Sequence, residues 1–323
     1  MPIDPHHAAY DSPAYDSPVF SQLQVEQLWL SFKQPAVREL AFAIASPPLL
    51  HQWPNEQPDF SIALPDAQFW HQQLLNYWPR LQELEQNPQP LQAYLQRLRS
   101  TRLGIRFEQL LAFWLEDDAY HPFKLLGHSI KRMDGQRTLG EIDFLIKNRL
   151  SGEIEHWEVA IKFYLGEAQL MKDQWLGLNR NDSLGRKIRH LCQRQFAVDQ
   201  IEGQTIQRRR AIIKGRLFYP AYNPLDLPQW IAQPHLTGLW GSHIPATPDQ
   251  HYWRRASRDE RMVVQQDMQN NQANHCSPRY WTNGLYFLLD TENKVVLQYM
   301  LRITDKMHQS IKNGNILILN PYA

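Results

Sequence analysis

The stretch Ile154-Glu155-His156-Trp157-Glu158-Val159-Ala160-Ile161-Lys162-Phe163-Tyr164-Leu165 decides how this chain is read. Side chains alternate faces along a β-strand. Trp157, Val159, Ile161, Phe163 and Leu165 are all apolar and give one continuous face for burial. His156, Glu158, Ala160, Lys162 and Tyr164 share the other face. Alternation alone is compatible with a solvated face carrying an ordinary ion pair, or with one wall of a polar site. The preceding strand, Leu139–Asn148, behaves alike: Ile142, Phe144 and Ile146 lie on one face, and Glu141, Asp143, Leu145 and Lys147 on the other. If the two strands pair, Asp143 and Glu158 approach each other. Two close carboxylates repel and shift each other's pKa. Such a pair persists when something positive sits between them, and a hard cation such as Mg²⁺ takes oxygen ligands of this kind.

Working outward, Leu103, Phe107, Leu110, Leu111 and Trp114 form the apolar stripe of a helix. A strand over Leu125–Arg132 follows, then a turn containing Asp134-Gly135 in a loop expected to exceed two residues. Beyond the key strand, Asp182 or Ser183 can cap a helix running to about Asp199, with Leu184, Ile188, Leu191 and Phe196 inward. A fourth strand, Arg210–Tyr219, stops at Pro220. The order is helix, three strands, helix, strand, and residues 101–220 are read as the core.

Residues 20–100 are read as a helical N-terminal extension. Val25, Leu28, Trp29 and Phe32, then Val37, Leu40, Ala41 and Ile44, then Phe69, Leu74, Leu75 and Trp78 recur at helical spacing. These stripes read as core, although a docking module for a protein partner fits the same composition. Residues 221–323 are read as a C-terminal extension packed on the core. It contains a hairpin from Leu285–Asp290 and Val295–Ile303 and a helix within 254–272. Residues 1–19 repeat Ala-Tyr-Asp-Ser-Pro and are expected to form a disordered tail.

Lys and Arg total 34 against 33 Asp and Glu, so any nucleic-acid surface must concentrate its charge locally. The basic candidates are Arg186, Lys187, Arg189 and Arg194 on the helix, Lys214 and Arg216 on the fourth strand, and Tyr252–Arg261, where arginines interleave with aromatics as suits single-strand binding. Cys192 and Cys276 are expected to be reduced thiols, which points to the cytoplasm. The first residues read as no signal peptide, and Leu40–Leu50 is too short and proline-broken to span a bilayer, so no membrane association is expected. His235, His243 and His251 match no zinc spacing. No Walker loop, GxGxxG or GxSxG occurs, which argues weakly against nucleotide-dependent and serine-hydrolase chemistry.

The runs Gly140-Glu-Ile-Asp-Phe-Leu-Ile146 and Glu158–Leu165 resemble the PD-(D/E)XK (restriction-endonuclease-like) nuclease superfamily over residues 100–220. More narrowly, the chain resembles an uncharacterised bacterial family assigned to that superfamily (domain of unknown function 1853), including Pro35–Leu50. The resemblance implies an α/β core with a mixed sheet flanked by helices. It implies a nuclease, a hydrolase of phosphodiester bonds in DNA or RNA that uses Mg²⁺ or Mn²⁺. Carried over, the catalytic roles fall on Glu108, Asp143, Glu158 and Lys162, with the metal on Asp143 and Glu158. Lys187 and Gln193 would face the substrate, as would Lys214 and Arg216 on the adjoining strand. The superfamily usually sets its lysine two residues after the acid, whereas here Ala160 holds that place and Lys162 lies four residues on. That leaves three alternatives. Lys162 reaches back, or Glu108, Glu141 or Glu158 supplies the second carboxylate to a true Lys162, or the site is an inactive module that binds nucleic acid or a protein without cutting.

Overall fold

A computed structural model of the chain describes residues 22–54, 60–98, 100–135, 137–167, 169–221, 227–264 and 282–303. The AYDSP repeats and Cys276 lie outside the described residues. The N-terminal part is helical, as its periodicity predicts: α1 (Gln22–Leu30), α2 (Pro35–Ala45), α3 (Ala67–Gln86), α4 (Gln89–Gln96) and α5 (Leu103–Glu116), with a short strand β1 (Ile62–Ala63) between α2 and α3. Pro35 opens α2 at a position where its missing N–H costs nothing. Asp66 caps α3 by accepting from the Phe69 N–H at 2.8 Å.

The core strands are β2 (Phe123–Asp134), β3 (Arg137–Asn148) and β4 (Ile154–Gly166), followed by the two-residue β5 (Trp175–Leu176). Then come α6 (Leu184–His190), the small hairpin β6 (Gln200–Ile201) and β7 (Gln204–Thr205), and β8 (Arg208–Pro220). Pairing of β2 with β3 runs to Asp134 and Arg137, so the expected longer loop is only two residues, with Gly135 at φ 58°. Four more strands follow: β9 (Thr237–Gly241), β10 (Tyr252–Arg255), β11 (Gly284–Leu289) and β12 (Val295–Leu301). The expected helix over 254–272 is not seen in its described part. β10 is a strand through Arg255, residues 256–264 are irregular, and 265–272 lie outside the described residues.

One mixed sheet carries all of this, in the order β10-β11-β12-β9-β8-β4-β3-β2, with β1 also on β8 and β5 on β4. The C-terminal strands therefore extend the core sheet. β4, β8, β9 and β12 run parallel to their neighbours in that series, and the outer pairs are antiparallel. Helices α1 to α5 cover one face, where Trp29, Phe42, Trp70, Trp114 and Phe107 pack on Phe144, Trp157 and Ile212. The aromatic stripes of the N-terminal helices lie in this core. The other face holds α6, with Leu184, Ile188, Leu191 and Phe196 against Tyr164, Ala211, Ile213 and Leu217.

Burial face corrects two expectations. Lys214 and Arg216, read as substrate-binding, point to the α1–α3 side of β8, away from α6. Lys214 is 0% exposed. Its Nζ donates to the carbonyls of Ala43 (2.9 Å) and Ile44 (2.7 Å) at the end of α2, and lies 3.6 Å from the Trp70 ring centre. A cation there complements the negative end of the helix, although burial pushes its pKa well below the usual lysine value. Arg216 donates to Thr237 O and pairs with Glu26 at 2.8 Å. Both side chains are taken up in contacts within the fold. Lys214→Ala is expected to cost about 3 kcal/mol in urea denaturation, from a cavity plus two orphaned carbonyls. Lys214→Met, which keeps the stem, should cost less.

Candidate functional site

β3 and β4 are paired only from Phe144↔Trp157 to Lys147↔Ile154. Beyond that point β3 continues along β2, and β4 regains a neighbour on that edge only at Leu165, where β5 pairs with it. Between Glu158 and Tyr164, no strand among the described residues covers this edge of β4. Asp143 sits at the fork. Its Oδ2 accepts the Val159 N–H at 2.8 Å, filling the place of the next ladder bond.

Glu158 lies beside Asp143, near enough for the charge of one to act on the other. It is 1% exposed, so it is no part of a solvated face. Burial drives both carboxyl groups up, Glu158 to about 7 and Asp143 well above the ordinary range, with the Glu158 charge the second cause for Asp143. The Lys187 ammonium opposes both shifts. Three further groups hold Glu158. His156 Nε2 lies 2.8 Å from its Oε1, Gln195 donates to its Oε2, and the Asp143 backbone N–H adds another bond. His156 is 0% exposed, and burial holds it down at about 3. It is therefore neutral, donating from Nε2, with Nδ1 unpartnered among the described residues.

Glu108 projects from α5 and is fixed by His128 Nε2 (2.8 Å) and Ser129 Oγ (2.9 Å) of β2. Ser129 has φ 51°, in a region that side chains other than glycine enter at some cost, between the two register shifts of the β2–β3 ladder. The Glu108 charge is a further cause of the upward shift at Asp143. The fold thus sets Glu108 of α5 near enough for its charge to reach Asp143, beside the pair from β3 and β4.

Lys162 does not join them by contact. It shares the face of Glu158 but pairs with Asp182 at 2.7 Å. The lysine whose charge acts on both carboxylates is Lys187 of α6, whose Nζ donates to Gln195 Oε1 at 3.1 Å. Burial lowers its pKa, while Glu158 and Asp143 pull it back up. Gln193 is exposed and makes no contact with the carboxylates; Gln195 takes the place expected of it. Six residues is not a whole number of helical turns, so Lys187 and Gln193 cannot share a face. After His190 the helix loosens into a π-turn, Leu191–Gln195, closed by Phe196 N–H to Leu191 O at 2.8 Å, and this turn carries Gln195 inward. His156 was legible as the residue two before Glu158 on one strand face; Gln195 had no sequence signal.

Glu155 gives the contrast that marks Glu158 out. It is also buried on β4, on the opposite face, yet its pKa is held below the ordinary carboxylate value despite desolvation. Arg210, Asn148 (2.9 Å) and Trp157 Nε1 (2.6 Å) all donate to it. A structural carboxylate has its charge satisfied, whereas Glu158 and Asp143 share only the longer-range charge of Lys187, which forms no ion pair with either among the described residues.

Among the described residues, no three His, Cys, Asp or Glu side chains converge closely enough to hold an ion by themselves. Two carboxylates do fit Mg²⁺, which keeps several waters and is commonly bound through one or two carboxylates. No helix among the described residues is long and apolar enough to cross a membrane.

A family model described as a domain of unknown function (DUF1853) matches residues 38–274, and the chain belongs to that family. Searches of curated proteins and of solved structures return no match.

Proposed function

We propose that this member of the DUF1853 family is a metal-dependent nuclease of the PD-(D/E)XK kind, cleaving phosphodiester bonds with Asp143, Glu158 and Lys187. The observation that carries the reading is the buried carboxyl pair at the fork of β3 and β4, with both pKa values raised and Lys187 as its cation. Perturbed groups of this kind cluster at functional sites. A bound Mg²⁺ or Mn²⁺ would supply Lewis acidity and a water of lowered pKa. Asp143 and Glu158 would hold it, with Glu108 adding negative charge from its anchored position. Neutral His156 and Gln195 keep the Glu158 carboxylate oriented. Lys187 sets a positive charge where the phosphate gains negative charge in the transition state. Lys162, engaged with Asp182, is left to hold substrate.

The test is cleavage of labelled single- and double-stranded DNA and RNA in Mg²⁺ or Mn²⁺. Wild type should cut at least one of them, and Lys187→Met should lose roughly 10²-fold or more. No cleavage by wild type sinks the reading. It would leave the alternative, an inactive module on the same framework, which one observation favours: Gln195 and His156 already engage the Glu158 carboxylate.

A pH dependence follows from the same groups. The folded-state pKa of Glu158 is raised from the ordinary 4.5 to about 7. In the metal-free protein its contribution is present below 4.5 and is lost as pH rises through about 7. Mn²⁺ binds the ionised pair, so its affinity measured by calorimetry should rise over the same window. Affinity unchanged between pH 5 and 8 would place the ion elsewhere.

A further inference from the structure

A cleft of about 650 Å³ opens beside the uncovered edge of β4, lined by Ile161, Lys162 and Phe163. Its apolar floor includes Leu103, Phe163, Leu285 and Met300, drawn from the N-terminus of α5, β4 and the C-terminal hairpin. Its rim carries Arg255, Arg258 and Arg261. Among the described residues none of the three pairs with a carboxylate. Arg255 donates to Asn283 O (3.1 Å), Arg258 to Thr101 Oγ1 (3.1 Å) and Arg261 to Arg258 O (3.0 Å). A guanidinium has five N–H donors, so most remain available. Two other members of the 252–261 run are internal: Trp253 is buried, and Arg254 is sealed against Glu260 at 2.6 Å. Among the described residues the carboxylates nearby are Asp182, already paired with Lys162, Asp259, close to Arg261, and Glu260, neutralised by Arg254. Four cations against two carboxylates concentrate positive charge here, in a chain whose net charge is only +1.

We propose that this cleft binds an unpaired nucleic-acid strand, seating a base on the apolar floor and phosphates on Arg255, Arg258 and Arg261. A duplex keeps its base faces stacked inside, so only an unpaired strand offers a flat apolar face and phosphates to one cleft. Arginine planes and Phe163 suit stacking on any base. Lys162 lies roughly 13 Å along β4 from Glu158, at about 3.3 Å per residue. On the nuclease reading above, on which this step rests, a strand held in the cleft is led along the open edge to Asp143 and Glu158.

The experiment is fluorescence anisotropy with a labelled oligothymidylate in EDTA, so that binding is read without cleavage. The single strand should bind, weakening roughly twentyfold between 50 and 200 mM salt for three phosphate contacts. The Arg258→Gln/Arg261→Gln double variant should bind at least about tenfold more weakly, with a shallower salt slope. Asp182→Asn, which frees Lys162, should bind several-fold more tightly, a gain that misfolding cannot produce. Equal competition by the corresponding duplex or by polyglutamate would overturn the assignment, as would wild-type affinity in both variants. Binding intact with no cleavage in Mg²⁺ would refute the nuclease reading and leave the cleft assignment standing.

Discussion

Replacing Asp143 by Asn is expected to lower nucleic-acid cleavage by roughly 10³-fold or more while leaving the protein at least as stable as wild type. The two effects have one cause. Asp143 is held beside Glu158 and near Glu108, and burial with like charge drives its pKa up. Asn keeps an oxygen for the Val159 N–H that Asp143 Oδ2 now accepts at 2.8 Å. It removes the repulsion and also the charge that a cation needs. A group with a raised folded-state pKa stabilises at low pH and loses that contribution as pH rises. The melting temperature of Asp143→Asn should therefore exceed that of metal-free wild type more clearly at pH 8 than at pH 5. A variant that melts much lower at pH 8 would mean that Asp143 is a structural carboxylate.

Glu155→Ala should give the largest loss of stability, about 3–5 kcal/mol in denaturant unfolding. Glu155 is 0% exposed and accepts from Arg210, Asn148 and Trp157. Without it the Arg210 guanidinium remains inside, against Phe69, Phe123 and Trp157, with no counter-charge there. Its pKa is depressed, so its contribution is full at neutral pH and is lost as pH falls below the ordinary 4.5. Glu155 and Glu158 stand three residues apart on one strand and should respond to pH with opposite sign. A loss under about 1 kcal/mol for Glu155→Ala would contradict the assignment of Glu155 as the satisfied, structural member.

The alternation of β4 could be read from the sequence because its odd positions are uniformly apolar, and the fork partner Asp143 followed from the same pattern in β3. The arrangement of the C-terminal strands could not. They extend the core sheet through parallel pairings of β9 with β8 and β12, and such long-range pairings leave no local mark. Lys214 and Arg216 were misplaced for a related reason. β8 is covered on both faces and flanked by strands on both edges, so its residues do not alternate clearly. Which face its cations take is then set by the register Glu158↔Ala211 rather than by the pattern. Lys187 was expected to face substrate; that its charge reaches both carboxylates depends on how α6 docks. Gln195 depends in addition on a π-turn that propensity does not announce.

On the proposed reading Asp143 and Glu158 would hold a divalent cation near the Lys187 charge. The direct measurement is an anomalous-difference map from a crystal of the protein grown with Mn²⁺ above pH 7. A peak at the Asp143 and Glu158 carboxylates, absent in Asp143→Asn, is the expected result. A peak only elsewhere, or none at this fork in a map that shows Mn²⁺ bound at other sites, would contradict it.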